Sequence, residues 1–239
     1  MCGSDAGNLS DSLSSHGLSK DRRKTILGVA LDMDGLLFDT EKLYWQVGDT
    51  VLQRRGFRFS AELQQRMMGR VGVSAMAQMI EMHSLKDSAE DLLAESDQIY
   101  SELLGETPDS MPGLELWIDY LDQIEMPFGL ATSSRRKFVD RIFESVPWRE
   151  ALQFVLTGDD VVNGKPDPEM YLKAAEKLGI APEAMMVLED SGNGCAAAVA
   201  AGAQTVAIPS EHTKSQDFSG AILVAESLAD PMLWSLLRA

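Results

Sequence analysis

Apolar runs recur along the chain, and after the first the spacing between them changes character twice. Thr25–Leu31 is short, apolar and flanked by charge, which predicts a buried strand. From about Glu41 the apolar positions move to helical spacing. Leu43, Val47, Val51 and Leu52 share one face, and Gly56 ends the run. Helices are predicted again from Ser60, over Ser74–Met82 and over Ala89–Leu104. The methionines among them (Met67, Met68, Met76, Met79 and Met82) read as core filler rather than as a binding groove.

After Met111-Pro112-Gly113 short strands and helices alternate. Strands are predicted at 128–131, 154–156, 185–188 and 205–208, with an edge strand at 222–224. The intervening helices hold Leu114, Trp117, Ile118 and Leu121; then Phe138, Ile142 and Phe143; then residues 168–178; then an alanine-rich stretch ending at Gly202. A last helix carries Met232, Leu233 and Leu236. Alternation of this kind predicts an α/β fold with a doubly wound parallel sheet. The helical run at 43–109 interrupts it, which predicts an inserted small helical cap domain. The core is then 25–42 with 110–239, and 1–24, polar and without pattern, is expected to be a disordered tail.

Composition narrows the possible partners. With 21 basic and 37 acidic residues the net charge is −16, a field that repels nucleic acid and anionic membrane. An anionic substrate therefore needs a local cation. The two cysteines, Cys2 and Cys195, lie in different contexts, so no structural disulfide is expected. No apolar run reaches the ~18–20 residues of a membrane span. The first residues lack a signal-peptide core. A soluble cytoplasmic protein is expected, monomeric or else dimeric.

Four predicted strands end in polar residues suited to one task. Asp32-Met33-Asp34-Gly35 follows the first, Thr132-Ser133-Ser134 the second, Gly164-Lys165-Pro166-Asp167-Pro168 comes after the third, and Glu189-Asp190-Ser191-Gly192 follows the fourth. Taken singly, these read as a turn, a helix cap, a surface lysine and an acidic loop. Open parallel sheets bind ligands beyond the C-terminal ends of their strands. There, several carboxylates would repel one another unless a cation joined them, and Mg²⁺ with a phosphate suits oxygen ligands.

The set resembles the haloacid dehalogenase-like hydrolase superfamily. The likeness is to the subgroup of phosphoglycolate phosphatase, sugar-phosphate phosphatases and β-phosphoglucomutase, and it covers residues 27 to about 210. It implies a Rossmann-like core and a phosphatase of small phosphorylated metabolites. Asp32 is then the nucleophile and Asp34 the acid and base. Asp32, the Asp34 carbonyl, Asp190 and Glu189 are the implied Mg²⁺ ligands. Thr132, Ser133 and Lys165 would neutralise the transferring oxygens. Arg70 is a candidate substrate contact from the cap. Ser134 and Arg135, followed by Arg136, are candidates to grip a second anionic group.

Departures separate the chain from the mutase branch, where a histidine stands four residues after the threonine matching Thr40. Here that position is Tyr44. The mutase's cap arginine falls at Gly72, and residues 94–104 hold no lysine to match its cap lysine. A phosphatase is therefore preferred to a phosphosugar mutase. A non-catalytic phosphorylatable switch is the more distant alternative, because Asp34 would hydrolyse the phosphoaspartate.

Overall fold

Residues 24–67, 70, 72–104 and 108–237 are described by the structure, a computed structural model. The expected tail at 1–24 falls outside them except for Lys24, as do Cys2 and Met68. Cys195 is a buried free thiol.

The first strand is shorter than the apolar run predicts. β1 spans Gly28–Leu31, beginning where Gly28 pairs with Met185. Leu27 still donates its N–H to the Ala184 carbonyl, but its side chain is half exposed. The other strands are β2 (Phe128–Ala131), β3 (Val155–Leu156), β4 (Met185–Glu189), β5 (Gln204–Ala207) and β6 (Leu223–Val224). All pair in parallel in the order β3-β2-β1-β4-β5-β6. The chain leaves β1 for β2 on one side and later adds β4 on the other, so the strand order reverses at β1.

Strand alternation divides the core between the two faces of the sheet. Val29 and Leu31 pack with Leu130, Leu188 and Val206 against α5 (Leu114–Gln123), α6 (Arg136–Phe143) and α9 (Pro231–Ser235). Ala30 and Ala131 face the other way, toward Met170, Tyr171 and Ala174 of α7 (Glu169–Leu178) and Ala197 and Ala198 of α8 (Gly192–Ala200). The small residues let α7 and α8 lie close to the strand ends. On the first face Trp117 is fully buried, and truncating it to alanine would cost about 3–5 kcal/mol.

Between β1 and α5 lie four helices: α1 (Glu41–Gln53), α2 (Ala61–Met67), α3 (Val73–His83) and α4 (Ala89–Leu103). α1 packs on α4, and α3 packs on both α2 and α4. Met76 and Met79 are buried there, and Met67 and Met82 pack against the same cluster, as core filler should. Ser88 caps α4 by accepting from the Asp91 N–H at 3.0 Å. The entry and exit of this insert run together: Asp39 N–H donates to the Asp109 carbonyl, Met111 N–H to the Leu37 carbonyl, and Phe38 bridges Ser110 antiparallel. No helix among the described residues is long and apolar enough to cross a membrane.

Candidate active site

Register builds the acidic cluster. Leu31 pairs with Leu188, so the next residues of the two strands, Asp32 and Glu189, emerge side by side. Asp190 follows, and carboxylate oxygens of Asp32, Glu189 and Asp190 lie within 4.8 Å of one another. All three residues are buried. Gly35 makes room at the edge of the cluster. Its φ is +76°, and a Cβ there would sit 2.5 Å from Asp190 Oδ2.

Lys165 enters the cluster from the loop before α7. Its ammonium donates to Asp32 Oδ1 at 2.6 Å, to Glu189 Oε1 at 2.6 Å and to the Ala131 carbonyl at 3.0 Å. All three of its protons are thus committed. Burial works against its charge, but the Asp32 and Glu189 carboxylates outweigh that and raise its pKa. The loop is fixed from α7, where Glu169 accepts the N–H groups of Val162 and Asn163 at 3.0 and 2.8 Å.

One ammonium does not balance this much negative charge. Burial first, then the neighbouring carboxylates, push the Asp32 pKa up to about 7 against the pull of Lys165. Asp190 is raised well above the carboxylate range by burial, then by Glu189 and Asp32. Its carboxylate receives no hydrogen bond from a described residue. A buried, oxygen-only, over-charged set of donors fits a hard divalent cation. Asp32 and Asp190 are the acids free to hold it. Glu189 is within reach, but its oxygens are engaged: Oε1 by Lys165 and by Tyr171 Oη at 2.5 Å, Oε2 by Ser191 N–H at 3.3 Å and Ser191 Oγ at 3.0 Å.

Asp34 belongs to a different environment. Its carboxylate lies outside the acidic cluster and faces hydroxyls. Thr40 Oγ1 donates to Oδ1 at 2.6 Å, and Ser134 and Thr132 donate to Oδ2 at 2.6 and 3.3 Å. Thr40 stands at the N-cap of α1 yet makes no cap hydrogen bond, because its hydroxyl is spent on Asp34. Two aspartates one residue apart therefore meet opposite surroundings, one against an ammonium and carboxylates, the other against neutral donors.

The strand ends bring Asp32, Asp34, Thr132, Ser134, Lys165, Glu189 and Asp190 together. The Ser133 carbonyl packs against Gly158, next to this group. Two expected substrate contacts hold protein partners in this structure. Arg70 is exposed and donates from Nε to the Arg66 carbonyl at 3.0 Å. Arg135 turns to Asp97 on α4, with Asp159 3.8 Å away. Sequence reading missed Tyr171, whose ring centroid lies 5.1 Å from Lys165 Nζ. It also missed Tyr44 as a site residue: its hydroxyl is 2.9 Å from Ser134 Oγ. Both tyrosines sit on helices, where an aromatic signals packing and gives no hint of a polar target.

Known proteins share much of this chain's sequence and fold. The profile of the family described as haloacid dehalogenase-like hydrolase matches residues 29–208. A probable pseudouridine-5'-phosphatase of Drosophila melanogaster is 34% identical over 207 residues, covering 83% of this chain and 88% of the relative. A phosphorylated carbohydrates phosphatase of Thermotoga maritima is 33% identical over 183 residues, covering 74% and 82%. The crystal structure of CbbY from Rhodobacter sphaeroides in complex with phosphate superposes with a TM-score of 0.76 at 25% identity, covering 86% of this chain and 96% of that one.

Proposed function

The chain belongs to the haloacid dehalogenase-like hydrolases, and from that premise we propose that it is a Mg²⁺-dependent phosphatase of a small phosphorylated metabolite. The observation that carries this reading is the contrast between Asp32 and Asp34. Asp32 Oδ1 is fixed by Lys165, which aims the carboxylate as a nucleophile. Asp34, surrounded by hydroxyl donors, is placed to hand a proton to a leaving oxygen.

In the first half-reaction Asp32 attacks phosphorus and the ester P–O bond breaks. The proton of Asp34 goes to the departing oxygen, and Asp32 carries the phosphoryl group. In the second, Asp34 takes a proton from water as its oxygen attacks phosphorus. Phosphate leaves and the Asp32 carboxylate returns. Thr132 and Lys165 face the transferring oxygens throughout. Mg²⁺, held by Asp32, Asp190 and the Asp34 carbonyl, would supply charge stabilisation that a single ammonium does not. Glu189 holds Lys165 in place. The helical insert, α1–α4, acts as the cap that excludes water during the first step.

Asp32→Asn tests the nucleophile. Phosphate release is expected to fall by about 10⁴-fold or more while the circular dichroism spectrum stays that of the parent. Retained turnover in a folded variant would falsify the assignment. EDTA is expected to abolish activity and Mg²⁺ to restore it. Metal-independent turnover contradicts the cation requirement.

A further inference from the structure

Glu189 differs from the two acids beside it in how fully it is occupied. An ionised carboxylate has about four lone-pair sites. On Glu189 four donors meet them: Lys165 Nζ at 2.6 Å and Tyr171 Oη at 2.5 Å on Oε1, Ser191 Oγ at 3.0 Å and Ser191 N–H at 3.3 Å on Oε2. Gly194 closes another side, where even a Cβ would overlap the carboxylate. The Asp190 carboxylate, one residue on, receives no hydrogen bond from a described residue.

The four donors are not equivalent. Lys165 divides itself between Glu189 and Asp32, at 2.6 Å from each. The two Ser191 contacts are the longest of the set. Tyr171 makes the shortest. It is fully buried on the inner face of α7, in one core cluster with Ala30 and Ala131, and its ring lies 5.1 Å from Lys165 Nζ. A phenylalanine would fill that space equally well. The hydroxyl is the part that packing does not require, and burying it is unfavourable without a partner. It is aimed at the oxygen that Lys165 also uses.

We infer, resting on the cation requirement of the phosphatase reading, that Tyr171 is a positioning residue: by filling a lone pair of Glu189 Oε1 it keeps Glu189 from coordinating the ion, and so sets the choice between Mg²⁺ and Ca²⁺. Asp32, Asp190 and the Asp34 carbonyl are then the protein oxygens on offer. So short a set suits Mg²⁺, which binds through one or two carboxylates and keeps several waters. Ca²⁺ takes about six to eight oxygens and gains more from a third carboxylate. Without the phenol, a lone pair of Oε1 becomes available in a cluster whose carboxylate oxygens lie within 4.8 Å of one another.

Calorimetric titration of the full chain with Mg²⁺ and with Ca²⁺ tests this, the readout being the ratio of the two Kd values. Tyr171→Phe keeps the ring and removes only the phenol oxygen. It is expected to improve Ca²⁺ about tenfold relative to Mg²⁺. In a Glu189→Gln background the same substitution is expected to move the ratio less than about twofold, a dependence on residue 189 that a general loss of structure does not produce. Glu189→Gln by itself is expected to weaken both ions and to leave their ratio within about twofold of the parent's, which checks the place of Glu189 without touching Tyr171. A Tyr171→Phe ratio equal to the parent's overturns the inference. So does an equal shift in the Glu189→Gln background, or a Glu189→Gln ratio displaced about tenfold. Parent chain that binds neither ion overturns the cation requirement beneath the inference, and the inference with it.

Discussion

Gly194 lets the first turn of α8 lie against Glu189, since a Cβ at that position falls on the Glu189 carboxylate. Glu189 in turn fixes Lys165, and Lys165 fixes Asp32. A single methyl group at 194 therefore acts on the nucleophile at two removes. Gly194→Ala is expected to lower kcat about 10²-fold, the effect of displacing a catalytic group by about 1 Å. It is also expected to lower stability by about 1–3 kcal/mol through overpacking. Steady-state kinetics and thermal unfolding check both, and parental values in either measurement contradict the chain of contacts. At this scale the sequence was informative where chemistry and position coincide. Asp32, Lys165, Glu189 and Asp190 follow the strands, and a charged group there has few structural uses. It was uninformative where the partner is distant. Arg135 reads as an anion contact, and Asp97, which pairs with it here, lies 38 residues earlier and on another element.

An element is held by groups that its own periodicity does not reveal, and α7 is the case that matters most. Its hydrophobic face is plain from Met170, Tyr171 and Ala174. Its hold on the Lys165 loop comes from Glu169 in the first turn, which accepts Lys173 Nζ at 2.6 Å and two loop N–H groups. The Lys173 hydrogen bond first, then those from Val162 and Asn163, pull the Glu169 pKa down from 4.5 to about 2. A depressed folded-state pKa gives stability that is complete above the unfolded value and lost as pH falls through the folded one. Parent protein and Glu169→Gln are therefore expected to differ in thermal midpoint at pH 6 and to converge between about pH 4.5 and 2. A gap that stays constant through that window contradicts the assignment. The strands were legible to within a residue or so except at the start of β1. There the apolar run reaches back to Thr25, but pairing waits for Met185 on the neighbouring strand. Strand length is a property of the pair, so one run cannot state it.

For the whole molecule, charge is the dominant fact. A net −16 surrounds a site that buries three carboxylates beside one ammonium. Asp32 and Asp190 both carry raised pKa values, so their ionisation opposes folding near neutral pH. A cation bound there must relieve that opposition. The proposed Mg²⁺ site therefore makes a prediction independent of turnover. Ligand bound only by the folded state, at 100 times its Kd, adds about 2.7 kcal/mol. For a chain of this size that raises the thermal midpoint by about 5–10 °C. Asp190→Asn should separate repulsion from coordination. With EDTA present the variant is expected to melt above the parent, because one buried negative charge is gone. With saturating Mg²⁺ the order should reverse, because the parent gains the binding energy and the variant loses a ligand. Midpoints that keep the same order in both conditions would place the cation, and with it the charge balance of the site, away from Asp190.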